Sequence, residues 1–252
     1  MANPDTTDRR YFLARRIFSI TGLLPVGGFL LIHIYTNTYA LFGREAFNEK
    51  VGDIQKLPYL LVIELCAIIL PIFVHALLGF LIVFQARYNT YGYTRNWLFT
   101  LQRVTGVLAF AFICFHLYEY WAQKQLGVMP WESFYDELGQ NLSKPWKFAV
   151  YAVGVTSVVF HFANGIWSFA VGWGLTITRA AQRRLTIACA IFGAAFWVLS
   201  MNIVLSFSTG EPLVPVRIEL PGAGGEDPAE PSGGEAPAEG EGEAAPTAPS
   251  GT

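Results

Sequence analysis

The chain reads as an all-α integral membrane bundle of five transmembrane helices, with its N-terminus in the cytoplasm and a tail expected to be disordered. Three observations predict this. Charged residues make up 14% of the sequence, against roughly 25% in soluble domains. Runs without Asp, Glu, Lys or Arg cover Ile17–Gly43, Leu65–Ala86, Val104–Tyr118, Phe148–Thr178 and Leu185–Gly210. A spanning helix needs about 20 mostly apolar residues. Finally, the connections between these runs differ sharply in charge.

Residues 1–14 form a polar lead. Helices are expected over about 15–42, 57–87, 97–122, 146–173 and 184–208. Four of the runs are long enough as they stand. The third reaches full length when extended back through Arg103 to Trp97, with the arginine snorkelling to the surface. The connections at 43–56 and 123–145 carry Pro, Trp and mixed charge, which suits short interfacial helices. Those near 88–96 and 174–183 are basic. The first helix is too long for a signal peptide and no small-x-small cleavage site ends it.

The net charge of -2 conceals the asymmetry. Arg9, Arg10, Arg15, Arg16, Arg87, Arg95, Arg103, Arg179, Arg183 and Arg184 fall on one side. The other side has Arg44, Lys50, Lys56, Lys124, Lys144 and Lys147, mixed with Glu45, Glu49, Asp53, Glu132, Asp136 and Glu137. The positive-inside rule therefore places the N-terminus in the cytoplasm. Residues 1–210 form the membrane domain. From 211 to 252 the chain is an acidic Pro/Ala/Gly/Glu-rich tail. It has too little apolar surface to offset its ordering entropy, so it is expected to be disordered. Cys66, Cys114 and Cys189 lie far apart in apolar stretches and read as small buried hydrophobes.

The four histidines carry the functional signal. His33, His75, His116 and His161 fall one in each of the first four helices, and none lies in a connection or the tail. Imidazole is costly in hydrocarbon without a partner. It is also an axial ligand for haem iron. Four such residues make two pairs, enough for two b haems, with the histidines as the iron ligands. Helix direction suggests the pairing. His33 and His116 lie late in outgoing helices, so they share the outer half. His75 lies late in an ingoing helix and is left with the near-central His161. Gly79 and Gly165 each follow a histidine by four, and Gly27 and Gly28 precede His33. These glycines suit either a flat macrocycle or tight helix packing.

Other polar groups are secondary candidates. Glu64 is the one carboxylate well inside the second helix, 11 residues before His75 and so expected on the same face. It is a candidate for proton transfer to a quinone. Arg16 and Arg103 are candidates for the propionates of the inner haem. Glu119 is expected to face headgroups or water. For Ser19 and Thr21, hydrogen bonding to their own helix backbone is expected. Asn164 and Asn202 are expected to bond across helices.

Several stretches also resemble a known family. They are RRIFSITGLLPVGGFLLIH (Arg15–His33), FGREAFN (Phe42–Asn48), IELCAIILPIFVHALLGFLIVF (Ile63–Phe84), RNWLFTLQRVTGVLAFAFICFHLYE (Arg95–Glu119) and the helix around His161. The chain resembles the cytochrome b membrane-anchor subunit of succinate dehydrogenases, in the single-chain, di-haem form. That resemblance implies a flavoprotein (FAD) subunit and an iron–sulfur subunit as partners. It also implies a lipid bilayer of the bacterial cytoplasmic membrane and a quinone substrate, usually menaquinone. It pairs His33 with His116 at the outer haem and His75 with His161 at the inner one. The dehydrogenase site itself belongs to the partners, and nucleic acid is not expected to bind. The alternatives are the anchor of a quinol:fumarate reductase, a di-haem anchor of another oxidoreductase such as a hydrogenase or formate dehydrogenase, and a haem-free histidine-lined transporter.

Overall fold

A computed structural model describes residues 4–85 and 94–215. Every regular element among them is helical. Five helices are long and apolar enough to cross a membrane: Phe12–Phe42, Leu60–Phe84, Trp97–Gln125, Pro145–Gly172 and Arg179–Thr209. We call them spans one to five. The tail beyond 215 and most of the connection at 88–96 lie outside the described residues.

The bundle is built for an apolar solvent. Ile32 is 62% exposed and Phe84 83%, surface that water would penalise and hydrocarbon does not. Span three packs on span four, span four on span five, and span one on span two. For reference, the end of the bundle where span one begins is the N-terminal end, and the other is the far end.

Local chemistry sets where the spans start and bend. Pro145 occupies the first turn of span four, where its missing N–H costs nothing. The oxygen of Thr178 accepts the Ala181 N–H at 3.2 Å and caps span five. Span five therefore starts at Arg179, about a turn before the expected 184. The arginines expected in a loop lie in its first turns. Three π-helical turns interrupt the spans, at Gly22–Val26, Glu64–Ile69 and Leu117–Ala122. The first contains Pro25, which has no N–H to donate and whose ring crowds the preceding turn.

A cluster of buried hydrophobic residues sits at the far end. The short helices Arg44–Gln55 and Phe134–Leu142 fold over the span ends there. Phe47, Leu138 and Leu142 from these helices meet Tyr120, Tyr151, Ile203 and Phe207 from the spans. Gly43, at φ 100°, makes the turn from span one into the first of these helices, a conformation that an L side chain rarely adopts. Arg44 and Asp136 join the two helices at 2.5 Å, an exposed pair of small energetic weight.

Candidate functional site

The bundle brings the four intramembrane histidines together in two pairs. His33 of span one and His116 of span three have ring centroids 5.8 Å apart, with planes inclined at 72°. His75 of span two and His161 of span four are 6.2 Å apart at 80°. Imidazole nitrogens bind a metal at about 2.0–2.1 Å, the range known for zinc. A metal shared by two opposed imidazoles thus sets their centroids about 6 Å apart, and both pairs fit. Among the described residues, no group of three or more His, Cys, Asp or Glu side chains could hold a metal ion. The donors come in twos, which suits axial ligation with the remaining positions supplied by a macrocycle.

Hydrogen bonding fixes how the rings are presented. The Nδ1 of His75 lies 2.9 Å from the Phe18 carbonyl oxygen. That of His161 lies 2.9 Å from the Gln102 carbonyl oxygen. A carbonyl only accepts, so each Nδ1 carries the proton and each Nε2 keeps its lone pair. A ring N–H donated to a backbone carbonyl is the usual support for a metal-binding imidazole. Gln102 also donates its side-chain N–H to the His161 carbonyl at 3.0 Å, and Asn164 donates to the Gln102 Oε1 at 2.8 Å. Phe18 stacks on the His75 ring at 4.3 Å.

Two glycines make room for this pair. A Cβ on Gly106 would sit 2.8 Å from the His161 Cε1. A Cβ on Gly22 would collide with the Cε1 of His75 and lie 2.7 Å from its Nδ1. The glycines expected to matter lie elsewhere. A Cβ on Gly79 would meet the Phe18 ring at 3.2 Å, one on Gly165 the Gln102 side chain at 3.6 Å, and one on Gly27 would run into Phe162. Gly79 and Gly27 thus serve helix packing, and of these four expected glycines Gly28 alone opens on free space.

The far-end pair is supported differently. The His116 Nδ1 lies 3.2 Å from the Tyr151 hydroxyl oxygen. That hydroxyl donates to Glu119 Oε2 at 3.0 Å. Its single proton is thereby committed, so Nδ1–H of His116 donates to the phenol oxygen. Lys147 pairs with the other Glu119 oxygen and donates to Asn141 Oδ1 at 2.8 Å. The Glu119 side chain is only 8% exposed. The expectation that Glu119 faces headgroups or water is therefore overturned. It lies inside the wide turn directly after His116 and is held by two span-four residues.

Glu64 is also partnered. Its Oε1 accepts from Lys124 at 2.9 Å. Its Oε2 accepts from Trp121 at 2.8 Å and Gln125 at 3.1 Å. It faces span three, whereas His75 faces Phe18 of span one and His161 of span four. The expected shared face fails because Glu64 opens a π-helical turn, and the wider turn shifts the register of an 11-residue interval.

The arginines stack on aromatic rings. Arg16 lies over Trp173 at 4.2 Å and Arg103 over Phe99 at 4.0 Å. Stacking uses the guanidinium face and leaves its N–H edges for other partners. Ser19 and Thr21 bond their own helix backbone, as expected. Asn164 bonds across to span three. Asn202 instead closes on Val214, just beyond its own span.

Relatives bear on this arrangement. A family model described as succinate dehydrogenase/fumarate reductase transmembrane subunit matches residues 87–200. The succinate dehydrogenase cytochrome b558 subunit of Bacillus subtilis (strain 168) is 40% identical over 200 residues, covering 79% of this chain and 98% of that protein. The chain belongs to the succinate dehydrogenase/fumarate reductase transmembrane-subunit family. As a member it is a membrane subunit of an oxidoreductase, and the transporter and unrelated-anchor alternatives fall away.

Gln102, Gly106, Gly22 and Tyr151 are the contributors that sequence reasoning missed in this family member. LQRVTG holds two of them, Gln102 and Gly106. A polar residue and a glycine four apart in a span were a usable signal. The partner of each lies on another helix, and no spacing rule reaches that far.

Proposed function

We propose that this chain is the cytochrome b anchor of a succinate dehydrogenase. It carries electrons from a cytoplasmic iron–sulfur subunit, through two b haems, to menaquinone in the bacterial cytoplasmic membrane. The observation that carries this reading is the two histidine pairs, each at a separation at which both imidazoles could bind one metal, with Nδ1 of His75, His116 and His161 engaged in hydrogen bonds. His33 and His116 hold one haem, and His75 and His161 the other. When bound, each haem supplies a one-electron couple.

The chain's own residues do the rest. The Phe18 and Gln102 carbonyls hold the rings of His75 and His161 through Nδ1–H, which leaves the Nε2 lone pair of each for a metal. The arginine excess at the N-terminal end supports a cytoplasmic position for it. The flavoprotein and iron–sulfur subunits dock there, nearest the His75–His161 pair. Arg16 and Arg103, whose guanidinium faces are stacked on Trp173 and Phe99, would pair through their free N–H edges with the propionates of the inner haem. Glu64, held by Lys124, Trp121 and Gln125 at the far end, exchanges protons with the quinone. The family name covers both succinate oxidation and fumarate reduction. The name of the Bacillus relative favours the first.

The test is spectroscopic and compositional. Purified membranes should give a reduced-minus-oxidised haem b band, and the chain should copurify with a flavoprotein and an iron–sulfur protein at two haems per anchor. Absence of the band, or copurification without those partners, would overturn the reading.

A further inference from the structure

The two histidine pairs differ in one respect that their spacing hides. At the N-terminal-end pair, each Nδ1–H ends on a neutral backbone carbonyl. At the far-end pair, the His116 Nδ1–H enters a side-chain relay, from His116 to the Tyr151 hydroxyl to the Glu119 carboxylate, at 3.2 and 3.0 Å. The relay is enclosed. Tyr151 is 4% exposed, and Glu119 is closed off on its other oxygen by Lys147. In such surroundings charge is weakly screened and hydrogen bonds polarise one another.

We propose that Tyr151 is a positioning residue which transmits the Glu119 charge to His116 and thereby sets the redox potential of the far-end site apart from that of the other. This rests on the reading that His33 and His116 are haem ligands. The direction follows from electrostatics. A carboxylate at the end of the relay draws the Nδ1 proton outward and makes Nε2 of His116 a stronger electron donor. A stronger donor stabilises the oxidised metal and lowers the potential. Lys147 opposes this, so the potential is set by a balance of two opposed charges. At the N-terminal-end pair, by contrast, the Nδ1 of His75 is held by the Phe18 backbone carbonyl.

The experiment is a redox titration, followed optically and by EPR, of the intact complex carrying Tyr151→Phe, Glu119→Gln or the double substitution. Tyr151→Phe and Glu119→Gln should each raise the far-end potential and leave the other unchanged. The expected size is about tenfold in the reduced/oxidised ratio at fixed potential, the low end of outer-shell effects, or about 59 mV for one electron. The double substitution should add little to Tyr151→Phe alone, because the path is already cut. Two retained haems with unshifted potentials would overturn the proposal, as would equal shifts at both sites. So would a full Glu119→Gln shift persisting in the Tyr151→Phe background. If Tyr151→Phe lost the far-end haem, Glu119→Gln, which keeps the phenol, decides the matter by the same criterion. Haem content separates the two levels of inference. An unaltered protein without two haems defeats the functional reading, whereas two haems with unmoved potentials defeat only this proposal.

Discussion

At the scale of single residues, the N-terminal-end pair depends on two missing methyl groups. Gly22 and Gly106 lie so close to the His75 and His161 rings that a Cβ on either would overlap ring atoms or press well inside contact distance. Both rings are also pinned by backbone hydrogen bonds, which leaves them little room to retreat. Gly22→Ala and Gly106→Ala should therefore each lower the haem content of the N-terminal-end site and spare the far-end one. Gly172→Ala, where a Cβ meets nothing within 4 Å, should leave both intact. Quantified haem spectra of the purified variants check this, and equal loss from both sites would contradict it. The histidines themselves were legible in the sequence because an imidazole in hydrocarbon demands a partner. The glycines that shelter them were not, because the atom each one avoids belongs to a helix 53 or 55 positions away.

At the scale of elements, apolar length and charge distribution made all five spans legible, and the physical reason is the bilayer itself. What escaped was the register inside them. The π-helical turns at Glu64–Ile69 and Leu117–Ala122 rotate Glu64 away from His75 and set Glu119 against Tyr151 and Lys147. A face assignment that assumes 3.6 residues per turn fails across such a turn. Glu64 also ties span two to span three through Lys124, Trp121 and Gln125. Glu64→Gln keeps the shape of this tie but removes its charge. It should slow quinone turnover while succinate oxidation with an artificial acceptor stays intact. Parallel assays of the two activities in membranes make the comparison, and unchanged quinone turnover would leave Glu64 a structural tie alone.

At the scale of the whole molecule, the two pairs stand at different depths along one bundle. His75 and His161 are held by residues near the start of spans one and three, and His116 by a residue near the start of span four at the opposite end. The proposed route therefore moves charge along the membrane normal, and each electron carried across the whole membrane exchanges about 2.3 kcal/mol per 100 mV. Burial follows the same axis, since the far-end cluster around Phe47, Tyr151 and Phe207 closes the bundle over the His33–His116 pair. The central claim is that four histidines form two independent sites in this pairing. A redox titration of the four single His→Ala variants tests it most directly. His33→Ala and His116→Ala should abolish one spectral component, and His75→Ala and His161→Ala the other. Loss of the same component from His33→Ala and His75→Ala would contradict the account.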